Sequence, residues 1–307
     1  MSVVAFQPRL AGAFQRQGAL AVLGAVVVVA IAVFPNFRSL DNAGTILVAA
    51  APPMLIALGM TFVIITGGID LSVGSLYVLG GVLAAWGSQY GALAGLVLPL
   101  AVCGAIGVVN GVLIAYTGMA PFIVTLAALL GARGLMRALS GEGSSTYLVS
   151  SPFLRELGTG SFLGIGYQVW MVLLLVLAGM VVLARTRFGN AVYAVGGSED
   201  AAALMGVRVR RTKIAVYVMS GLLAGLAGTI NAAKLGSGVT VLGGTLLTGG
   251  AGTIAGTVAG VLLLGVIQNL INQVGDVNSN WQQVISGTFL ALVVVAQTYL
   301  VRMRRAT

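Results

Sequence analysis

RTRFGNAVYAVGGSEDAAALMGVRVRRTK, residues 185–213, holds Arg185, Arg187, Arg208, Arg210, Arg211 and Lys213, over a third of the chain's 16 basic residues. Short loops rich in Lys and Arg stay on the cytoplasmic side of a membrane, so this loop sets the orientation of its neighbours. It also spells a short helix. Gly196 and Gly197 break the chain, Ser198 is an N-cap, and Glu199 and Asp200 place negative charge in the first turn, where the helix dipole favours it. Ala201, Ala202, Ala203, Leu204 and Met205 continue the helix, and Gly206 suits a left-handed C-terminal cap. Two turns cover roughly 12 Å and are unstable alone in water, so the helix leans on something. A surface helix on an ordinary cytoplasmic linker and a docking helix for a cytoplasmic partner both fit.

Composition explains why the loop stands out. Of 307 residues, 58% are hydrophobic and 7% charged, and the mean hydropathy is +1.05. A soluble domain carries about 25% charged residues, so this chain lacks the polar surface it would need in water. It reads as a polytopic membrane protein. Net charge +9 does not point to nucleic acid, because the basic residues sit at span ends and in loops. One cysteine, Cys103, excludes an internal disulfide, and with no histidine a zinc site of the usual ligands is not expected. Arg9, Arg16 and the apolar run 19–34 resemble a signal peptide. More spans follow at once, and the run is read as a retained first transmembrane helix.

Spans need about 20 residues. The expected ones are 18–34, 43–65, 73–87, 93–117, 121–139, 167–184, 214–233, 251–271 and 281–301. With the N-terminus inside, 140–166 is outside and the sixth span returns to the cytoplasm at Arg185. The tail with Arg302, Arg304 and Arg305 is cytoplasmic only if one more crossing lies between Lys234 and Gly250. LGSGVTVLGGTLLTGG, 235–250, covers about 24 Å as a helix, short of a bilayer core of about 30 Å. It is expected to be abbreviated, extended or re-entrant. The fold class is therefore all-α: an inner-membrane helical bundle of about ten spans with broken helices. A single transmembrane domain covers 1–307.

Pro52-Pro53 interrupts the second span and Thr66-Gly67-Gly68 ends it. Broken helices persist only where protein or a watery cavity satisfies the freed backbone groups. Asp70 follows at once, the only acid between Asp41 and Glu142. A carboxylate at membrane depth is a functional candidate, and it equally suits capping of the next helix. TGGIDLSVGSL at 66–76 faintly echoes TGGAGTIAGTV at 248–258, as an internal transporter repeat would.

Reactive chemistry is sparse. There is no Gly-Lys pair, hence no P-loop, and no acid pair lies close within the spans. Uncharged polar groups are better supplied: Ser72, Asn110, Thr125 and Asn231 in or beside spans, Phe122 opening the fifth, and Gln268, Asn269, Asn272 and Gln273 near one end of the span 251–271. The amides can bind the hydroxyls of a neutral solute, join helix to helix or face the outer water. Asp70, Ser72, Asn110, Phe122, Thr125 and Asn231 are the candidates for lining a pathway.

Four stretches together carry a family resemblance: ITGGIDLSVGSL (65–76), PFIVTLAALLGARGL (121–135), FGNAVYAVGGSEDAAALMGVRVRRTKIAVYVMSGLLAGLAGTI (188–230) and LLTGGAGTIAGTVAGVLLLGVIQNLINQVG (246–275). They resemble the permeases of bacterial ribose-type ABC importers over most of the chain after residue 45. The resemblance implies that permeases pair, as two copies or with a paralogue, and join two cytoplasmic ATPases that bind ATP and Mg. It also implies a periplasmic solute-binding protein. It makes Gly196–Val207 the coupling helix, with Gly196, Gly197, Ser198, Glu199, Asp200, Ala201, Ala202, Leu204, Met205 and Gly206 as the ATPase-coupling residues. The family carries a longer stretch where Gly238-Val239-Thr240-Val241 here runs straight into Leu242-Gly243-Gly244.

The expected function is the translocation subunit of an ATP-driven monosaccharide importer, multi-pass in the bacterial inner membrane with both termini cytoplasmic. The chain itself is expected to have no enzymatic site, cofactor or metal. Branched-chain amino acids, nucleosides and other small polar solutes remain alternative cargoes. An ion-coupled secondary transporter and a structural subunit with no pathway are the other classes, and Asp70 alone supports the first of these poorly.

Overall fold

The computed structural model describes residues 7–142, 145–238, 253–274 and 288. The described residues form eleven α-helices and four two-residue strands. In order they are α1 (Gln7–Val33), α2 (Leu40–Ile65), α3 (Val73–Gly87), α4 (Ala92–Thr117), α5 (Pro121–Leu139), β1 (Tyr147–Leu148), α6 (Pro152–Thr159), β2 (Ser161–Phe162), β3 (Ile165–Gly166), α7 (Tyr167–Arg185), α8 (Arg187–Gly197), α9 (Glu199–Leu204), α10 (Val209–Leu235), β4 (Ser237–Gly238) and α11 (Ile254–Val274). Among the described residues six helices are long and apolar enough to cross a membrane: α2, α4, α5, α7, α10 and α11. This is a helical membrane bundle. The expected crossing at 281–301 and most of the segment 234–250 lie outside the described residues.

The chain divides into two compact units. The larger, Ala51–Thr257, is built on α10, which packs most extensively against α4 and next against α3. Glycine allows the approach. A Cβ on Gly80 would stand 2.7 Å from the carbonyl oxygen of Gly225, and one on Gly228 would run into the carbonyl oxygen of Tyr77. Small residues let helix backbones touch, which replaces the hydrophobic drive that lipid removes. At 15 residues α3 is about 22 Å long, shorter than the bilayer core. It is buried along most of its length, so protein rather than lipid surrounds it.

The loop 140–166 is folded. β1 pairs antiparallel with β4, Tyr147 opposite Gly238, and β2 and β3 form a tight hairpin turned by Leu163 and Gly164 at positive φ. Gly158 of α6 sits against the backbone of Ala233, and Gln168 donates from Nε2 to the Gly158 carbonyl at 3.0 Å. The hydroxyl of Ser88 accepts the Ser150 amide at 2.8 Å. The segment expected to be abbreviated opens on the end of α10, which stops at Leu235 with Gly236 at φ 69°, and the next two residues are β4.

The smaller unit comprises Met1–Ala50 and Val258–Thr307. Its described core gathers Ala30, Phe37, Ile46 and Val266, with Leu263, Ile267 and Ile271 beside them. Asn269 donates to Asn42 Oδ1 at 2.8 Å and Gln273 donates to Asn269 Oδ1 at 2.7 Å. The first bond joins α11 to α2, one of the roles open to these amides, and the second lies within α11.

One expectation needs correction. Pro52-Pro53 does not interrupt the second span, because α2 runs unbroken from Leu40 to Ile65 with both prolines inside. A proline removes one hydrogen bond and crowds the preceding turn; the helix continues past both. The break falls at Thr66–Leu71.

Gly228→Ala is expected to lower the melting temperature in detergent, with a loss of about 1–3 kcal/mol from overpacking. Gly131, in α5, has open space where its Cβ would be. Gly131→Ala should be neutral, or stabilising by up to about 1 kcal/mol through helix propensity. Equal melting points for the two variants would refute backbone contact at Gly228.

Candidate functional site

The break after α2 is made by local hydrogen bonds. Thr66 returns its hydroxyl to the Val63 carbonyl at 2.8 Å, and the amides of Gly67 and Gly68 close onto Ile64 and Val63. Gly67 takes φ 77°, a region glycine enters without penalty. The chain then delivers Asp70 to the interior, where it is 1% exposed. Its Oδ1 accepts the Ser72 amide at 3.0 Å and the Ser72 hydroxyl at 2.5 Å. Its Oδ2 accepts the hydroxyl of Ser220, from α10, at 2.8 Å. Asn110 of α4 donates to Ser72 Oγ at 3.2 Å.

Ser72 and Ser220 thus hold the carboxylate, and Asn110 of α4 holds Ser72 in turn. A buried charge without partners is strongly unfavourable, and hydrogen bonds to a charged group contribute about 1.5–3 kcal/mol each. Among the described residues no Lys or Arg forms an ion pair with Asp70, so hydroxyls and an amide carry the whole compensation. The amide belongs to Ser72, the residue before α3. Asp70 therefore shapes the entry to α3, and also reaches across to α10, which capping alone does not require.

The remaining candidates separate. Thr125 is fully buried, donating to Pro121 O at 2.8 Å and lying 3.4 Å from Ile69 O, so it borders the break. Phe122 is 52% exposed at the start of α5. Asn231 lies on α10 eleven residues beyond Ser220, about 16 Å along the helix, away from the cluster. Two residues that sequence reasoning missed complete the site, Ser220 and Tyr217. The Tyr217 hydroxyl is buried with no partner among the described residues, and a Cβ on Gly68 would meet it at 2.5 Å. Their spacing, Lys213-Tyr217-Ser220 at i, i+4, i+7 on one helix face, was the available signal.

The basic loop is the second half of the site. Thr186 caps α8, accepting the Gly189 amide at 3.1 Å. The expectation that Gly196 and Gly197 break the chain is corrected: they are the last residues of α8, a helix not foreseen. A Cβ on Gly196 would collide with the Ile65 carbonyl, so this glycine lets α8 rest on the end of α2. The turn into α9 falls at Ser198, whose side chain accepts the Ala201 amide at 3.3 Å. Gly206, at φ 80°, closes the other end. Ala202 is fully buried and seats α9 on its own chain, whereas Leu204 is 90% and Met205 70% exposed. Glu199 Oε1 and Lys213 Nζ pair at 2.5 Å. Partly exposed pairs contribute about 0–1 kcal/mol, so this one sets geometry more than stability. Between the loop and the break lies a cavity of about 340 Å³, walled by Thr66, Gly68, Glu199, Lys213 and Tyr217.

Residues 42–294 match the family described as branched-chain amino acid transport system / permease component. The ribose import permease protein of Escherichia coli (strain K12) is 37% identical over 297 residues, covering 91% of this chain and 92% of that protein. The ribose import permease protein of Bacillus subtilis (strain 168) is 36% identical, covering 92% and 93%. The L-arabinose ABC transporter permease protein of Azospirillum brasilense is 35% identical, covering 89% and 84%. No solved structure matches the chain. Because 91% of 307 residues is about 279, about 18 of the 297 positions aligned with the E. coli protein stand opposite gaps in this chain.

Asp70→Leu should leave the Ser72 and Ser220 hydroxyls unpaired and lower stability by about 2 kcal/mol or more. Asp70→Asn keeps one acceptor and should lose less than half as much. Thermal unfolding in detergent tests the order; an Asn variant as unstable as the Leu variant would contradict the hydrogen-bond account.

Proposed function

Because this chain belongs to the family of branched-chain amino acid transport system permease components, we propose that it is the translocation subunit of an ATP-driven importer for a monosaccharide of the ribose type. The relatives' names, ribose and L-arabinose permeases at 35–37% identity over about nine-tenths of the chain, support the cargo class. The observation that carries the mechanism is α9. It is a two-turn helix, capped at both ends and seated by buried Ala202, that presents Leu204 and Met205 to the outside. It is flanked by Arg185, Arg187, Arg208, Arg210 and Arg211. Exposed apolar side chains on a cytoplasmic loop are surface for a protein partner.

The chain acts as one permease domain over 1–307, in the inner membrane with both termini cytoplasmic. About ten spans cross, the one near 234–250 abbreviated. Two ATPase subunits bind ATP and Mg and dock on the coupling helices of two permeases, either two copies of this chain or this chain with a paralogue. A periplasmic binding protein delivers the solute. Closure of the ATPases moves the coupling helices, which rock the spans between outward-open and inward-open states. Gly196, Gly197, Ser198, Glu199, Asp200, Ala201, Leu204, Met205 and Gly206 build the docking element, and Ala202 holds it. Asp70, Ser72, Asn110 and Thr125 set the geometry beside the path; Phe122 and Asn231 remain candidates for its lining. A branched-chain amino acid cargo is the second reading, favoured by the family description. Ligand identification on the cognate binding protein separates the two.

Two measurements test the assignment. Leu204→Asp with Met205→Asp should abolish copurification of the ATPase, with membrane insertion intact; undiminished copurification would remove α9 from the interface. Cys103 is buried, so added cysteines report cleanly. Ser145→Cys should be modified by an impermeant maleimide from outside and Arg210→Cys should not, and the reverse pattern would invert the topology.

A further inference from the structure

We propose that α10 transmits the movement of α9 to the buried carboxylate of Asp70, with Lys213 and Ser220 as positioning residues at the two ends of the route, an inference that rests on the importer reading above. The helix runs 27 residues without a proline, about 40 Å. Lys213, Tyr217 and Ser220 share one of its faces. At the first, Lys213 holds Glu199 of α9. At the last, Ser220 holds Asp70 Oδ2, while Oδ1 holds Ser72, to which Asn110 of α4 is bonded.

Backbone contacts make the rest of the route stiff. Gly221 of α10 meets the Cys103 carbonyl of α4, Gly107 of α4 meets the Tyr217 carbonyl, and Gly80 of α3 meets that of Gly225. Neither α3 nor α4 can shift a side chain's width against α10 without overlap, so the three respond together. By contrast α9 is joined to α10 by the Glu199–Lys213 pair and one short turn. The cavity of about 340 Å³ lies beside that pair and beside the Thr66–Gly68 break, giving both room to move. The Tyr217 hydroxyl, buried and without a partner among the described residues, lies midway along this route. A displacement of α9 therefore reaches the entry of α3 through Lys213, α10 and Ser220.

The test uses the whole transporter, this chain with its ATPase and binding protein in proteoliposomes. Uptake of radiolabelled D-ribose is measured per ATP hydrolysed. Glu199→Gln and Ser220→Ala should each lower that ratio at least about threefold, and the double variant should fall no further than the worse single one, because both interrupt one route. The exchange Glu199→Lys with Lys213→Glu should recover the ratio that Glu199→Lys alone loses, which a loss of folding would not allow. Unchanged ratios, multiplicative losses in the double variant, or no recovery on exchange would overturn the inference. A wild-type complex that hydrolyses ATP but takes up no ribose defeats the cargo assignment alone. The same variants are then compared by the ATP-dependent change in distance between spin labels at Ala203→Cys on α9 and Gln89→Cys beyond the far end of α3. An undiminished change in the variants overturns the route. Failure of the wild-type chain to bind an ATPase at all defeats both readings.

Discussion

A carboxylate enclosed by apolar helices has to be held by whatever donors those helices supply. Asp70 has no cation beside it among the described residues, and it is buried although Gly67 and Ile69 of the same break are exposed. Ser72, Ser220 and, one step out, Asn110 meet that demand from three separate elements. The arrangement of α3, α4 and α10 is the one in which these donors converge. A shift of any of the three would strand a polar group where water does not compensate it.

Convergence of this kind needs helices close enough for short side chains to reach. Serine hydroxyls extend only one bond beyond Cβ, so the Ser220–Asp70 bond exists because glycines bring the backbones together. Close packing and polar network are thus one feature. The glycines make the distances short, and the hydrogen bonds select which of the possible close packings is adopted. The same logic holds at the loop, where Gly196 brings α8 onto the end of α2 and buried Ala202 fixes α9. Fixing α9 by small inward residues leaves Leu204 and Met205 free to face outward.

Much of this was legible in advance. Span limits at 43–65, 93–117, 121–139 and 167–184 fall within three residues of the helix ends, because apolar runs of membrane length leave little choice of structure. The Ser198 cap and the Gly206 turn were readable because capping is a local exchange between a side chain and amides within three residues. Local rules failed in two places. Pro52-Pro53 reads as a break, yet α2 continues. RFGNAVYAVGG reads as loop, yet it forms α8, whose register is held by Thr186 and by Phe188 stacking on Phe62 at 6.3 Å.

The amino-acid sequence by itself determined the class of protein, the positions of most spans and the presence of a capped helix in a basic loop. Each of these follows from composition or from contacts only a few residues apart. Tertiary structure alone decided which donors hold Asp70 and that Asn269 answers Asn42 rather than water. It also decided that Ala202 faces inward while Leu204 faces out. Ser220 lies 150 residues from Asp70, and nothing in either local pattern names the other. Such pairs are chosen by how whole helices pack, where a rotation of one residue, about 100°, sends a hydroxyl to a different neighbour.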